Sequence, residues 1–140
     1  MGRKHIKKLL NTADILPLLD DITTHRQEHF IVLSIDSGRR LINKRVVFIG
    51  TVDTVMAHPR EVYGGAVADF AAGIIVAHNH PSGDPTPSKQ DIATTQQLVA
   101  AGQILGVKLI DHIIVAEREH YSFLASGMIF SQGFDSPSRN

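Results

Sequence analysis

The chain has 140 residues, with 14 Lys and Arg balanced by 14 Asp and Glu, and it contains no cysteine. This length suffices for one domain with its own hydrophobic core, and the lack of cysteine excludes both a disulfide framework and a cysteine-ligated metal site. No stretch approaches the ~20 apolar residues of a membrane span and no signal-peptide pattern follows the basic start of the chain, so we expect a cytoplasmic protein without a membrane segment.

The first 27 residues are polar and mixed, and they predict a tail or a short appended helix at about Ala13 to Ile22. Two β-rich runs follow, at 28–36 and 41–50. The residues between them predict a hairpin turn in which Gly38 is available for positive φ. The folded domain is therefore predicted to begin at residue 28.

A helix is predicted next, from His58 to Ala72, because apolar residues recur there at helical spacing. Pro59 suits its first turn, and His58 before it is interpreted as a structural residue at the helix start. The following run, from Gly73 to Ala77, consists of small and β-branched apolar residues, which is typical of a strand buried on both faces.

That buried strand leads directly into His78 and His80. Side chains two positions apart on a strand project from the same face, so both imidazoles can converge on one ion, whereas Asn79 points away from them. The next residues, from Pro81 to Pro87, are rich in Pro, Gly and hydroxyl side chains and predict a stiff turning loop.

A helix is predicted after this loop, with Ser88 as N-cap and Asp91 at its third position. The helix should end near Leu105, with Gly106 as its C-cap glycine. Strands are then predicted at about 107–116 and 121–124, and a disordered polar tail at 131–140, so the domain should span 28–130.

Two imidazoles from the strand and the carboxylate of Asp91 would offer three ligands and leave a fourth tetrahedral position open, which is the arrangement of catalytic zinc sites. Hydrolysis is the chemistry that such a site favours, with the Ser88 hydroxyl near enough to stabilise a developing oxyanion. Two alternatives stay open. Ser88 and Asp91 can be an ordinary capping pair, and Asp84 on the loop can be the third ligand.

These residues carry a resemblance to a known family. His78-x-His80, seven intervening residues and Ser88-x-x-Asp91 match the JAMM motif of the JAB/MPN+ metalloprotease superfamily. Three further sequence segments resemble the RadC branch of this superfamily. They are His58-Pro59-Arg60-Glu61-Val62, Ala77 to Pro85, and Asp111-His112-Ile113-Ile114-Val115.

The resemblance implies an α/β fold of the JAB/MPN, cytidine-deaminase-like type, a three-layer-like sandwich with a mixed, mainly antiparallel sheet. It also implies a Zn²⁺ cofactor held by His78, His80 and Asp91, and a glutamate on the first strand as general acid and base. Glu28 is the candidate for that glutamate, and Glu61 is the alternative. Asp111 and His112 are expected to support the fold or to orient a ligand imidazole.

The function that follows is a zinc metallopeptidase or isopeptidase acting on a peptide or protein substrate. The alternative is a non-catalytic, metal-containing binding module that acts with DNA repair or mobile-element proteins. A metal-dependent nuclease is disfavoured because nucleases more often use carboxylate-rich magnesium sites.

The charge distribution and the edge strands of the predicted sheet indicate which binding partners to expect. Residues 1–50 hold nine Lys and Arg against five Asp and Glu, a weak indication of nucleic-acid binding without any recognised DNA-binding pattern. Longer RadC-like proteins carry an N-terminal helix-hairpin-helix-type region, whereas about 27 residues precede Glu28 here, so DNA binding through such a region is not expected. Edge strands could pair two subunits as a homodimer.

Overall fold

The computed structural model describes residues 7–50 and 57–129. Within these ranges the chain forms an α/β structure with one five-stranded sheet and helices on both of its faces. The elements in chain order are α1 (Thr12–Ile15), a 3₁₀ helix (Leu16–Ile22), β1 (Glu28–Ile35), β2 (Leu41–Gly50), α2 (Pro59–Ala68), β3 (Gly73–Asn79), α3 (Lys89–Leu105), β4 (Lys108–Val115) and β5 (His120–Ser122).

The strand order across the sheet is β2-β1-β3-β4-β5. Only β3 and β4 pair in parallel, and the other neighbouring strands are antiparallel. The parallel pair requires a crossover, which α3 provides. The sheet is therefore mixed and mainly antiparallel, which confirms the predicted fold class.

Each face of the sheet buries its own set of apolar side chains. One set lies between the sheet and helices α2 and α3, and the other lies between the sheet and the segment that contains α1 and the 3₁₀ helix. β3 lies at the centre and all seven of its residues are buried, as its continuous apolar composition predicts. The arrangement gives three layers, helix on sheet on helix.

The segment before β1 belongs to this core. Leu9, Ile15, Leu19 and Ile22 are at most 3% exposed and pack against the sheet. The sequence places this segment outside a domain that begins at residue 28, whereas its apolar side chains here supply one of the three layers. The tail predicted at 131–140 lies outside the described residues.

The helix predicted at Ala13 to Ile22 differs in form from the one observed. The α-helix ends at Ile15, and the chain continues as a 3₁₀ helix to Ile22. Pro17 accounts for the change, because it has no N–H to donate and its ring clashes with the carbonyl four residues earlier in an α-helix.

The hairpin between β1 and β2 is present, but the residue with positive φ is Arg39, at 69°, and not Gly38. The Asp36 carboxylate stabilises this turn, accepting hydrogen bonds of 2.8 Å from the N–H groups of Gly38 and Arg40. These hydrogen bonds fix the turn around Arg39, so its left-handed conformation is held by the surrounding contacts.

Helix α2 ends four residues earlier than predicted. Asp69 forms its C-cap, and the following Phe70 has a φ of 54°. The Asp69 carboxylate receives two hydrogen bonds from Arg45 on β2, of 2.7 and 2.9 Å. This bidentate pair ties the end of α2 to the edge of the sheet.

No helix within the described ranges has the length and apolar character needed to cross a membrane.

Gly102 on α3 and Gly64 on α2 provide a matched test of this helix packing. A Cβ at Gly102 would contact the backbone carbonyl of Val107 and lie 2.5 Å from the Tyr63 hydroxyl oxygen, whereas a Cβ at Gly64 would meet nothing within 4 Å. We expect Gly102→Ala to lower the free energy of unfolding by about 1–3 kcal/mol through overpacking. Gly64→Ala should raise it by up to about 1 kcal/mol through helix propensity. Urea unfolding of both variants measures the difference, and equal stabilities would contradict the packing described.

Candidate metal centre

Three potential ligands come from two elements. His78 lies near the end of β3, His80 follows that strand, and Asp91 lies in the first turn of α3. The backbone N–H of His80 donates to the Val115 carbonyl at 2.9 Å, which keeps the chain beside β4 after β3 has ended. The loop that follows returns the start of α3 to the end of β3, so the three side chains meet.

The ligand atoms lie close together. The Nε2 atoms of His78 and His80 are 3.1 Å apart, and Asp91 places Oδ1 3.3 Å from the first and Oδ2 3.2 Å from the second. In a tetrahedral site with bonds of ~2.0–2.1 Å, neighbouring ligand atoms are ~3.3 Å apart. The group therefore has the spacing and donor types to hold a metal ion, and it is the group of this kind found among the described residues.

Asp84 does not contribute its carboxylate to this group. Its carboxylate accepts hydrogen bonds from the Thr86 N–H and hydroxyl at 3.0 and 2.7 Å, and the side chain is exposed. Its backbone carbonyl lies 2.9 Å from Nδ1 of His80. Because a carbonyl accepts only, Nδ1 carries a proton, and in the neutral ring Nε2 of His80 has the lone pair that a metal needs.

His78 makes a different second contact. Its Nδ1 lies 2.9 Å from Nε2 of His112 on β4, and Nδ1 of His112 lies 2.6 Å from the hydroxyl oxygen of Thr95 on α3. Thr95 was not singled out in the sequence. The available signal was its position four residues after Asp91, which places both on one side of α3.

Asp111 precedes His112 but serves the opposite face of the sheet. Its carboxylate accepts hydrogen bonds from the Ser122 hydroxyl at 2.6 Å and from the N–H groups of His112 and Leu124 at 2.7 and 2.9 Å. Asp111 therefore supports the fold by holding β5 and the chain beyond it. The contact to a ligand imidazole comes from His112.

Glu28 lies at the start of β1, beside the metal group. It lines a pocket of about 150 Å³ together with His80, Ser88 and Asp91. It also lines a smaller adjoining cavity with His78 and Asp91. Antiparallel pairing explains this position, because the start of β1 lies beside the end of β3.

Asn79 holds the chain around Glu28. Its buried side chain accepts a hydrogen bond of 2.6 Å from the His29 N–H and donates to the carbonyls of His25 and Gln27 at 3.2 and 3.0 Å. The residue between the two histidines therefore points to the other face of the sheet, as predicted, and binds the backbone on both sides of Glu28.

The other sequence candidates lie elsewhere. Glu61 is exposed in the first turn of α2 and does not line the described pockets of the metal group. His58 is the N-cap of the same helix, and its Nδ1 accepts a hydrogen bond of 3.1 Å from the Arg60 N–H. Of the two glutamates considered, the structure brings Glu28 to the site and leaves Glu61 outside it.

Ser88 combines a cap with a place in the pocket. Its Oγ accepts a hydrogen bond of 3.0 Å from the Asp91 N–H, and the Asp91 carboxylate accepts one of 2.8 Å from the Ser88 N–H. These two bonds form the predicted capping box. Since Oγ acts as acceptor in the cap, its own hydrogen is left to donate into the pocket.

The pKa values of the two carboxyl groups are shifted in opposite directions. Burial by itself would raise the pKa of Asp91, but the close contacts with His78 and His80 hold that pKa well below its usual range. Burial also works against the charged form of His80, yet the contacts with Asp91 and the Asp84 carbonyl raise its pKa. Burial raises the pKa of Glu28, which the two histidines partly oppose. Asp91 is therefore ionised, and Glu28 binds a proton more readily than an exposed glutamate.

The comparisons with known proteins agree with this geometry. A family model described as RadC-like JAB domain matches residues 9–128. A UPF0758 protein of Bacillus cereus strain B4264 is 43% identical over 112 residues, which cover 80% of this chain and 50% of the relative. A UPF0758 protein of Bacillus licheniformis is also 43% identical over the same shares, and one of Pelobacter propionicus is 45% identical over 74% of this chain and 45% of the relative. The chain spans about half the length of these curated relatives.

The raised pKa of Glu28 predicts a titration and a stability effect in the metal-free protein. Carbon-13 NMR of the side-chain carboxyl, assigned with Glu28→Gln, should give a midpoint above the ordinary 4.5. The folded protein then holds this proton more tightly than the unfolded chain, so the wild type should lose stability relative to Glu28→Gln as the pH rises from 4.5 through the folded pKa. A midpoint at or below 4.5, or a variant that gains no relative stability, would contradict the burial of this carboxyl.

Proposed function

Since the chain belongs to the RadC-like JAB domain family, we propose that it is a zinc-dependent hydrolase that cleaves an amide bond in a peptide or isopeptide. The observation that supports this most directly is the convergence of His78, His80 and Asp91 beside a partly buried carboxylate, Glu28. The family match and the three-residue group together support a metal-binding JAB module. That the metal is zinc and that the module is a hydrolase are our proposals.

The donor set favours zinc among the common divalent ions. Two imidazole nitrogens and one carboxylate oxygen are typical zinc ligands, whereas magnesium and calcium prefer shells of oxygen atoms. The ligand spacing of 3.1–3.3 Å also suits tetrahedral coordination. Three protein ligands leave one position for a non-protein ligand, as in catalytic zinc sites.

A zinc ion held by these residues would lower the pKa of a bound water toward ~7 and polarise the carbonyl of a substrate. The protein's own groups supply the rest of the chemistry. Ionised Asp91 and the Nε2 atoms of two neutral imidazoles would hold the ion. The pocket beside them receives the substrate carbonyl.

Glu28 is proposed as the general base and acid. Its carboxylate lines the pocket, and its raised pKa brings it closer to the neutral range in which one group can both accept and return a proton. It would take a proton as water attacks the carbonyl carbon and deliver that proton to the leaving amine. Glu28 therefore returns to its starting protonation state at the end of the reaction.

Ser88 is proposed to stabilise the oxyanion that forms on the substrate carbonyl. Its Oγ already accepts from the Asp91 N–H, which orients the hydroxyl and leaves its hydrogen as a donor. A single pre-oriented donor of this kind contributes about 3–4 kcal/mol to transition-state stabilisation in other hydrolases. The capping box thus holds the hydroxyl at one wall of the pocket.

The size of the pocket favours an extended substrate segment. Its volume of about 150 Å³ is well below the ~300–1,000 Å³ of typical small-molecule pockets. A substrate that reaches the site with one peptide-like segment and makes its other contacts outside fits this volume better than a compact metabolite. We therefore propose a peptide or protein substrate.

The zinc site is tested by elemental analysis of purified wild type, Asp91→Asn and Asp84→Ala. We expect about one zinc per chain in the wild type and in Asp84→Ala, because the Asp84 carboxylate caps its own turn. Zinc should fall sharply in Asp91→Asn, which removes the anionic ligand. The amide oxygen of the substituted side chain can still accept from the Ser88 N–H, so the helix cap is retained. A wild type that takes up no zinc, or equal zinc in the two variants, would contradict the assignment.

Hydrolysis is tested with a panel of fluorogenic peptides and lysine-linked isopeptides. Glu28→Gln should lower kcat/KM by roughly 10²–10⁴-fold, the usual contribution of general acid–base catalysis, while zinc content stays at the wild-type value. Glu61→Gln is the matched control and should leave the rate unchanged, because Glu61 is exposed on α2 away from the site. Zinc-loaded wild type that cleaves nothing on the panel would favour the non-catalytic binding module instead.

A further inference from the structure

We propose that Thr95 and His112 are positioning residues that set the tautomer of His78, so that its Nε2 carries the lone pair that a metal needs. This inference rests on the metal-binding part of the proposed function and goes beyond it. It concerns two residues that are not members of the three-residue metal group. It explains why a fully buried histidine lies behind a candidate ligand.

A continuous line of short contacts supports the proposal. The Thr95 hydroxyl lies 2.8 Å from the backbone carbonyl of Asp91 and 2.6 Å from Nδ1 of His112, and Nε2 of His112 lies 2.9 Å from Nδ1 of His78. Thr95 and His78 are each 3% exposed and His112 is fully buried. Because the groups are shielded from water, each must find its partner within the protein.

The line has only one consistent direction. The Asp91 carbonyl can only accept, so Thr95 donates its single hydroxyl hydrogen to it. The Thr95 oxygen then accepts from Nδ1–H of His112, and a neutral imidazole with its proton on Nδ1 presents a lone pair at Nε2. That lone pair accepts from Nδ1–H of His78, and Nε2 of the neutral His78 ring is then unprotonated.

The opposite direction would block the site. If His112 carried its proton on Nε2, it would donate to Nδ1 of His78, and the proton of His78 would lie on Nε2. That atom is the one that lies 3.1 Å from Nε2 of His80 and 3.3 Å from Oδ1 of Asp91. The polarity of a hydrogen bond at Thr95 therefore decides whether His78 is a ligand.

Packing holds the His112 ring but does not choose its tautomer. Phe123 stacks on the ring with centroids 4.6 Å apart and planes 8° apart, and Phe30 meets it edge-on at 6.0 Å. These contacts are the same for either position of the proton. The choice of tautomer is left to the hydroxyl of Thr95, which in turn is oriented by the backbone of Asp91, the third ligand.

Two measurements on the full chain test the proposal. Long-range ¹H–¹⁵N NMR of the metal-free wild type at alkaline pH, where the imidazoles are neutral, should show His112 protonated on Nδ1. Zinc affinity by chelator competition should fall about 10–100-fold in Thr95→Val, which keeps the shape but removes the hydroxyl, and stay near the wild-type value in Thr95→Ser. The Ser variant separates loss of the hydroxyl from loss of packing.

The outcomes separate this proposal from the proposed function. A wild-type His112 protonated on Nε2 would overturn the inference, and this measurement needs no variant to fold. Equal zinc affinity in the wild type and Thr95→Val would overturn it also, while leaving the zinc site intact. A wild type without zinc affinity would overturn the proposed function. The tautomer of His112 would still show the direction of the hydrogen bonds that join Thr95, His112 and His78.

Discussion

The need to pair both nitrogens of a buried imidazole governs the centre of this structure. His78 is 3% exposed in the middle of the sheet, and an unpaired polar atom there would cost about 1–3 kcal/mol. One nitrogen is paired with His112 behind it, and the other faces His80 and Asp91. A metal at that front position would be bound directly by all three groups.

Sheet topology brings the chemical groups together. Because β1 runs antiparallel to β3, the first residue of β1 lies beside the last residues of β3, and Glu28 reaches the histidines. Because β3 and β4 are parallel, α3 must cross over between them, and its first turn carries Asp91 back to the end of β3. Asn79 then joins the two strand ends by binding the backbone around Glu28.

The two acidic residues of the site have different environments, which suit the different roles proposed for them. Close contacts with the two histidines hold the pKa of Asp91 low, whereas burial raises the pKa of Glu28. An acid kept charged suits a ligand, and an acid that binds a proton more readily suits proton transfer. Environments that move two carboxyl pKa values in opposite directions are a common basis for acid and base assignments in enzymes.

Local sequence patterns determined the element types, the central buried strand, the capping box at Ser88 and the alternation that puts His78 and His80 on one face, because these depend on neighbouring residues alone. The features that depend on contacts between residues far apart in the chain were decided only by the tertiary structure. It placed the carboxylate of Asp91 and not that of Asp84 with the two imidazoles, and it brought Glu28 and not Glu61 to the pocket. It also made the segment before β1 a layer of the core. Thr95 and His112 show the reason most clearly, because 17 residues separate them in the chain and only the packing of α3 on β4 joins them.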